Sequence, residues 1–175
     1  MTKFLDNPVV DSRLAKKIYN FIFIFSFIWL LIIFLAPLFA NLGGIFEKIS
    51  SVTYLFFSFV CHQEEGRSFL LFDQPLGVCS RCVWIYAGFF VGTALYPLKF
   101  MYNNVTPVSV WFLIFPVILL MLDVIFDSLE IISNTFFTRS VTGILIGIAL
   151  PYYLIPGFVK FFYEINSYLR NKVSV

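Results

Sequence analysis

The chain alternates long apolar runs with short polar breaks, and the runs set the expected elements. From 21 to 40 the stretch FIFIFSFIWLLIIFLAPLFA carries no charge. As a helix it is about 30 Å long, the thickness of a bilayer's hydrocarbon core. It is longer than the roughly 7–15 apolar residues of a secretory signal, so it reads as a retained anchor. Asn41-Leu42-Gly43-Gly44 then breaks the helix. Three further runs predict helices over 79–98, 108–129 and 141–162, the first of these closing at Tyr96-Pro97. Between them and the anchor lies 45–60, IFEKISSVTYLFFSFV, which opens on Glu47 and Lys48 and is diluted by serines and a threonine. Its uncharged part is too short to cross, which predicts an interfacial or half-buried helix. A polar loop, 61–78, follows, with turns expected at Pro75 and Gly77.

These elements make an all-α integral membrane bundle of about four transmembrane helices. It forms one domain over 21–162, between an N-terminal segment 1–20 and a tail 163–175. Composition agrees: 60% of the 175 residues are apolar and only 13% charged, against about a quarter charged in soluble domains. Two of the helices carry paired glycines, Gly88-x-x-x-Gly92 and Gly143-x-x-x-Gly147. In lipid such spacing lets backbones approach closely, so these two helices are expected to pack inside the bundle.

Basic residues set an expected orientation. Lys3, Arg13, Lys16 and Lys17 precede the first run, Lys99 follows the second helix, and Lys160, Arg170 and Lys172 attend the last. If cations stay in the cytoplasm, both termini lie there and the 61–78 loop faces outward. A full crossing by 45–60 would break this agreement. The net charge of +2 and the lack of a basic run interleaved with aromatics exclude nucleic acid as a partner. The expected partners are the bilayer itself and a lipid or small-molecule ligand. A homo-oligomer is expected if the chain is a small transporter or channel subunit.

All three cysteines and the sole histidine fall within CHQEEGRSFLLFDQPLGVCSRC, Cys61 to Cys82. Cys61, His62, Cys79 and Cys82 match the ligand count of a Cys₃His zinc site, and C-x-x-C is a usual spacing for two ligands. Neighbouring side chains diverge, so Cys61 and His62 both bind only if the backbone turns there. Glu64 and Glu65 could complete a shell or act beside an open coordination position. The same atoms support a second reading, a membrane thiol–disulfide oxidoreductase that uses Cys79 and Cys82 and passes electrons to a quinone. A helix N-terminus and Arg81 would favour the reactive thiolate there. That reading lacks the second cysteine pair such a relay needs.

Asp123, Asp127 and Glu130 fall four and three apart on one face of the third helix. Ionisable groups within a span usually face a bundle interior or a water-filled cavity. Arg139 or Arg81 is the expected counter-charge. Asp123 and Asp127 join Glu64 and Glu65 as candidate catalytic groups, or as the pathway of a transporter or channel. Arg67, Arg81, Arg139, Tyr86 and Asn134 are the candidates to contact an anionic group or substrate. All of these are expected to converge on the outer end of the bundle as one pocket.

The chain resembles a family of small bacterial and archaeal membrane proteins described as a domain of unknown function. The likeness rests on Cys61-His62-Gln63, Arg67-Ser68-Phe69, Cys79-Ser80-Arg81-Cys82 and Ile85-Tyr86-x-Gly88, then Asp123, Asn134, Arg139 and Thr142-Gly143. It covers about Val60 to Gly147. Val83-Trp84 stands where the family commonly has Thr-Gly. The resemblance implies a bacterial or archaeal plasma membrane and no particular reaction.

Overall fold

The computed structural model describes residues 12–102, 106 and 108–173. Its helices are α1 (Ser12–Leu42), α2 (Ile45–Ser58), α3 (Ser80–Lys99), α4 (Trp111–Ser128), α5 (Phe136–Ala149) and α6 (Pro151–Val173). Four elements are long and apolar enough to cross a membrane: α1, α3, α4, and α5 with α6 as one unit, Phe136–Leu169. Strand among the described residues is confined to a small hairpin, β1 (Leu70–Leu71) with β2 (Gln74–Pro75), in the polar loop. The protein is an all-α membrane bundle, as its hydrophobic pattern predicts. Residues 1–11, with Lys3, and the side chains of Arg170 and Lys172 lie outside the described residues.

Helix ends differ from the hydrophobic pattern for identifiable reasons. The first helix starts at Ser12 rather than 21, because Ala15 and Tyr19 are buried against Tyr96, Ile155 and Val159. Packing there overrides the polar composition of the segment. The last unit starts at Phe136 rather than 141, because Thr135 forms a reciprocal cap. Thr138 donates its amide to Thr135 Oγ1 at 3.2 Å, and Thr135 donates its amide to Thr138 Oγ1 at 3.1 Å. The third difference is α3, which runs through Pro97 to Lys99 instead of stopping.

Two helix-interior prolines leave carbonyls without donors, and neighbours supply them. Pro97 cannot donate to Thr93, whose carbonyl instead accepts the Tyr19 hydroxyl of α1 at 3.1 Å. Pro37 cannot donate to Ile33, whose carbonyl instead accepts the Gly77 amide at 3.4 Å. Lipid offers no water for such groups, so each proline fixes a tertiary contact.

At the centre α3 lies against α5, glycine to glycine. A Cβ built at Gly88 would stand 2.6 Å from the Ile144 carbonyl oxygen, and one at Gly143 would stand 2.7 Å from that of Arg81. This is the close approach expected of the two glycine pairs. On the flanks, α1 packs on α3 and α6, and α4 packs mainly on α5. Exposed faces are apolar, Phe21, Trp111, Phe115 and Phe137 among them, as lipid requires.

The chain reverses after α1 at Gly43 and Gly44, whose φ of +69° and +62° would cost other residues about 1–2 kcal/mol each. The reversal lays α2 back along α1, held where the Ser50 hydroxyl donates to the Ala36 carbonyl at 2.7 Å. From α2 the loop climbs until the Phe72 carbonyl accepts from Asn41 Nδ2 at 3.3 Å, then descends to Gly77 at the level of Ile33. Nine residues separate Ile33 from Leu42 along α1, roughly 13 Å at 1.5 Å per residue. The cysteine end of α3 is therefore recessed below a rim made by the α1–α2 turn and the loop tip.

Candidate functional site

Cys61 is placed by the end of α2, where its amide still donates to the Phe57 carbonyl at 2.9 Å. Two residues later Gln63 takes a left-handed φ of +50°. Its side-chain amide then donates to the Tyr54 carbonyl at 2.8 Å and to the Gly77 carbonyl at 2.7 Å. One side chain thus ties α2 to the segment that enters α3. Cys79 is the N-cap of α3, and Cys82 lies one turn inside it.

These ties bring the three sulfur atoms within 4.8 Å of one another. All three cysteines are free, and Cys61 is buried. The Cys79 amide donates to Cys61 Sγ at 3.2 Å. Tetrahedral zinc with bonds of about 2.3 Å sets its sulfurs about 3.8 Å apart, so the group has the right scale for one ion. The Cys79 thiol, just ahead of the span, is held far below the ordinary thiol range. The cause is first hydrogen bonding from the Cys61 side chain and then from that of Cys82. The backbone amides of Cys82 and Arg81 at the helix start add to it.

His62 lies outside the sulfur group and is exposed. It lines the same cavity, about 400 Å³ in volume, whose other walls include Glu64, Arg67, Arg81 and Arg139. Three of the expected four donors therefore converge and the imidazole does not.

The acidic face of α4 meets these arginines. Arg81 forms a hydrogen-bonded ion pair with Asp123, whose side chain is 10% exposed. Thr142 on α5 lies beside the same carboxylate. One turn on, Asp127 Oδ2 stands 3.3 Å from Arg139 Nη2 and 3.6 Å from Arg67 Nη2, while Oδ1 accepts the Asn134 amide at 2.9 Å. Arg67 also pairs with Glu64 at 2.7 Å, on the rim where both side chains are about half exposed. Such exposed pairs contribute about 0–1 kcal/mol.

Among the candidate catalytic groups, Asp123 and Asp127 are engaged in ion pairs, Glu64 stands at the rim, and the Glu65 side chain lies outside the described residues. Glu130 falls beyond the end of α4, at a φ of +56°, so it does not extend the acidic face. Asp123 is five residues from the end of α4, roughly 7.5 Å, which places it near the sulfur group rather than at mid-span. Tyr86 packs behind the cysteines, edge-on to Trp29 at 5.6 Å, and lines a separate apolar cavity of about 300 Å³. Asn134 contributes its backbone amide, and its side-chain nitrogen is buried without a partner among the described residues.

Two members of the site escape a reading of the sequence as chemistry. Gln63 is a scaffold rather than a ligand, and its position inside Cys61-His62-Gln63 is the one available signal. Thr142 is the other, set against Asp123 by its offset of one turn from Arg139.

The sequence comparisons agree with this architecture. Residues 61–153 match the family model described as "Predicted membrane protein (DUF2085)", a stretch that spans the sulfur group, the ion pairs and the paired glycines. The uncharacterized protein MJ1492 of Methanocaldococcus jannaschii is 33% identical over 152 residues, covering 85% of this chain and 97% of that protein. No solved structure matches the chain. With four apolar spans and the Cys, Arg and Asp residues of that stretch drawn together at one end, the chain belongs to the DUF2085 family of predicted membrane proteins.

Proposed function

We propose that the protein is a zinc-binding membrane protein in which Cys61, Cys79 and Cys82 hold the metal and a fourth position opens toward the arginine-lined cavity. The observation that carries the reading is the convergence of three free sulfurs within 4.8 Å from two parts of the chain separated by a whole loop. Three protein ligands with an open position is the pattern of sites that bind a water or substrate at the metal. Bound there, zinc would supply Lewis acidity to whatever occupies the cavity. The Cys79 amide on Cys61 Sγ helps to hold that ligand in place.

The proposal places the cysteine end on the outer side of a bacterial or archaeal plasma membrane, with both termini in the cytoplasm. Support comes from Lys16, Lys17, Lys99 and Lys160, which belong to the helix ends remote from the sulfur group.

Thiol–disulfide exchange with a quinone is favoured by one observation, the lowered Cys79 thiol. The chain's three cysteines leave it no second pair to relay electrons. Elemental analysis of purified protein separates the two. Zinc binding predicts about one zinc per chain, lost in Cys61→Ser as fully as in Cys79→Ser. A metal-free protein whose Cys79 and Cys82 cycle unchanged in Cys61→Ser contradicts it.

A further inference from the structure

We propose that the arginine wall of this cavity binds the oxyanion end of a phosphate-type ligand, set against the metal's fourth position. The inference rests on the zinc reading for that position alone. Arg139 is 6% exposed, and its Nε and that of Arg81 are buried with no partner among the described residues, while both residues line the cavity. Buried guanidinium donors left unmet are costly, and a charged oxygen acceptor is what satisfies them best.

Carboxylates already present do not fill this need. Asp123 is taken by Arg81, and Asp127 is shared between Arg139 and Arg67 at 3.3 and 3.6 Å with its second oxygen on the Asn134 amide. Two guanidiniums thus share one carboxylate, and Glu64 meets Arg67 only at the exposed rim. Three arginines face three carboxylates here, so the wall exerts little net attraction at a distance. What it offers is directed N–H donors at close range, which selects for oxygens in a planar or tetrahedral array. A volume of about 400 Å³ exceeds one phosphate and admits a phosphate-bearing group of small-molecule size. The source is either a free phosphate compound or the headgroup of a lipid entering from the bilayer.

The test uses the full-length, zinc-loaded protein. One arm titrates inorganic phosphate calorimetrically into detergent-solubilised protein. The other compares lipid retention in nanodiscs of phosphatidylcholine with and without phosphatidic acid. Binding in either arm, weakened about tenfold or more in Arg67→Gln with zinc content unchanged, is the expected result. Phosphate binding identifies a soluble source, and phosphatidic acid binding alone identifies the headgroup. Arg139→Gln should act likewise, with Arg139→Lys as the variant that keeps the buried charge if the first fails to fold. No binding in either arm, or binding that Arg67→Gln leaves unchanged, overturns the proposal. Zinc retained without anion binding defeats this inference alone, whereas phosphate binding by a protein that takes up no zinc defeats the metal reading alone.

Discussion

The amide of Gly77 donates to the carbonyl of Ile33 at 3.4 Å, and that carbonyl is free because Pro37 cannot donate to it. A helix defect in α1 thereby anchors the segment that delivers Cys79. Replacing Pro37 with Ala returns a donor to the helix and sets it in competition with Gly77. Releasing one such bond is worth about 1 kcal/mol. The Gly77 amide should therefore exchange with deuterium about fivefold faster in Pro37→Ala, with the helix content of the protein unchanged.

The contact between α3 and α5 predicts a second outcome. Gly88→Val would press a side chain into the Ile144 carbonyl, 2.6 Å from its Cβ, with backbone on both sides and little freedom to yield. Overpacking of this kind costs about 1–3 kcal/mol. Thermal unfolding in detergent should shift downward accordingly. Gly157→Val is the matched control, since nothing lies within 4 Å of the Cβ it would add, and it should leave the transition in place.

The two kinds of ion pair should separate by burial. Asp123→Ala strips the partner from Arg81, whose side chain is 20% exposed, and leaves a sheltered charge uncompensated. A loss of about 3 kcal/mol is expected from such a change. The double variant Arg81→Met/Asp123→Leu should recover most of it. Glu64→Gln, at the exposed rim, should move the same unfolding transition by less than about 1 kcal/mol.

Long apolar runs made the four spans legible, and the paired glycines made the α3–α5 contact legible, because both depend on local composition and spacing. Helix limits were less so. Nothing local to Ser12–Asn20 announces that Ala15 and Tyr19 would be buried by Ile155 and Val159, far along the chain. Likewise the continuation of α3 past Pro97 depends on Tyr19 reaching Thr93 from another helix. Confinement of the cysteines to one stretch pointed to a common centre. The separation of Cys61 from His62 followed only as a consequence of alternating directions. The scaffold role of Gln63 needs a left-handed φ and two carbonyls contributed by Tyr54 and Gly77, which no spacing rule contains. The pairing of Asp123 with Arg81 and of Asp127 with Arg139 was foreseeable as charge balance, but not which carboxylate takes which cation.

His62 offers a fourth prediction. It is exposed and outside the sulfur group, so His62→Ala should keep its zinc, whereas Cys82→Ser should lose it. Competition with a chromogenic chelator at neutral pH reads both variants in one assay.

X-ray absorption at the zinc K-edge of the purified full-length protein tests the thiolate centre most directly. A thiolate-bound zinc gives three sulfur scatterers at about 2.3 Å and one oxygen or nitrogen at about 2.0 Å, the lighter atom persisting in His62→Ala. An absence of stoichiometric zinc, or a shell of oxygen and nitrogen without sulfur, would contradict it.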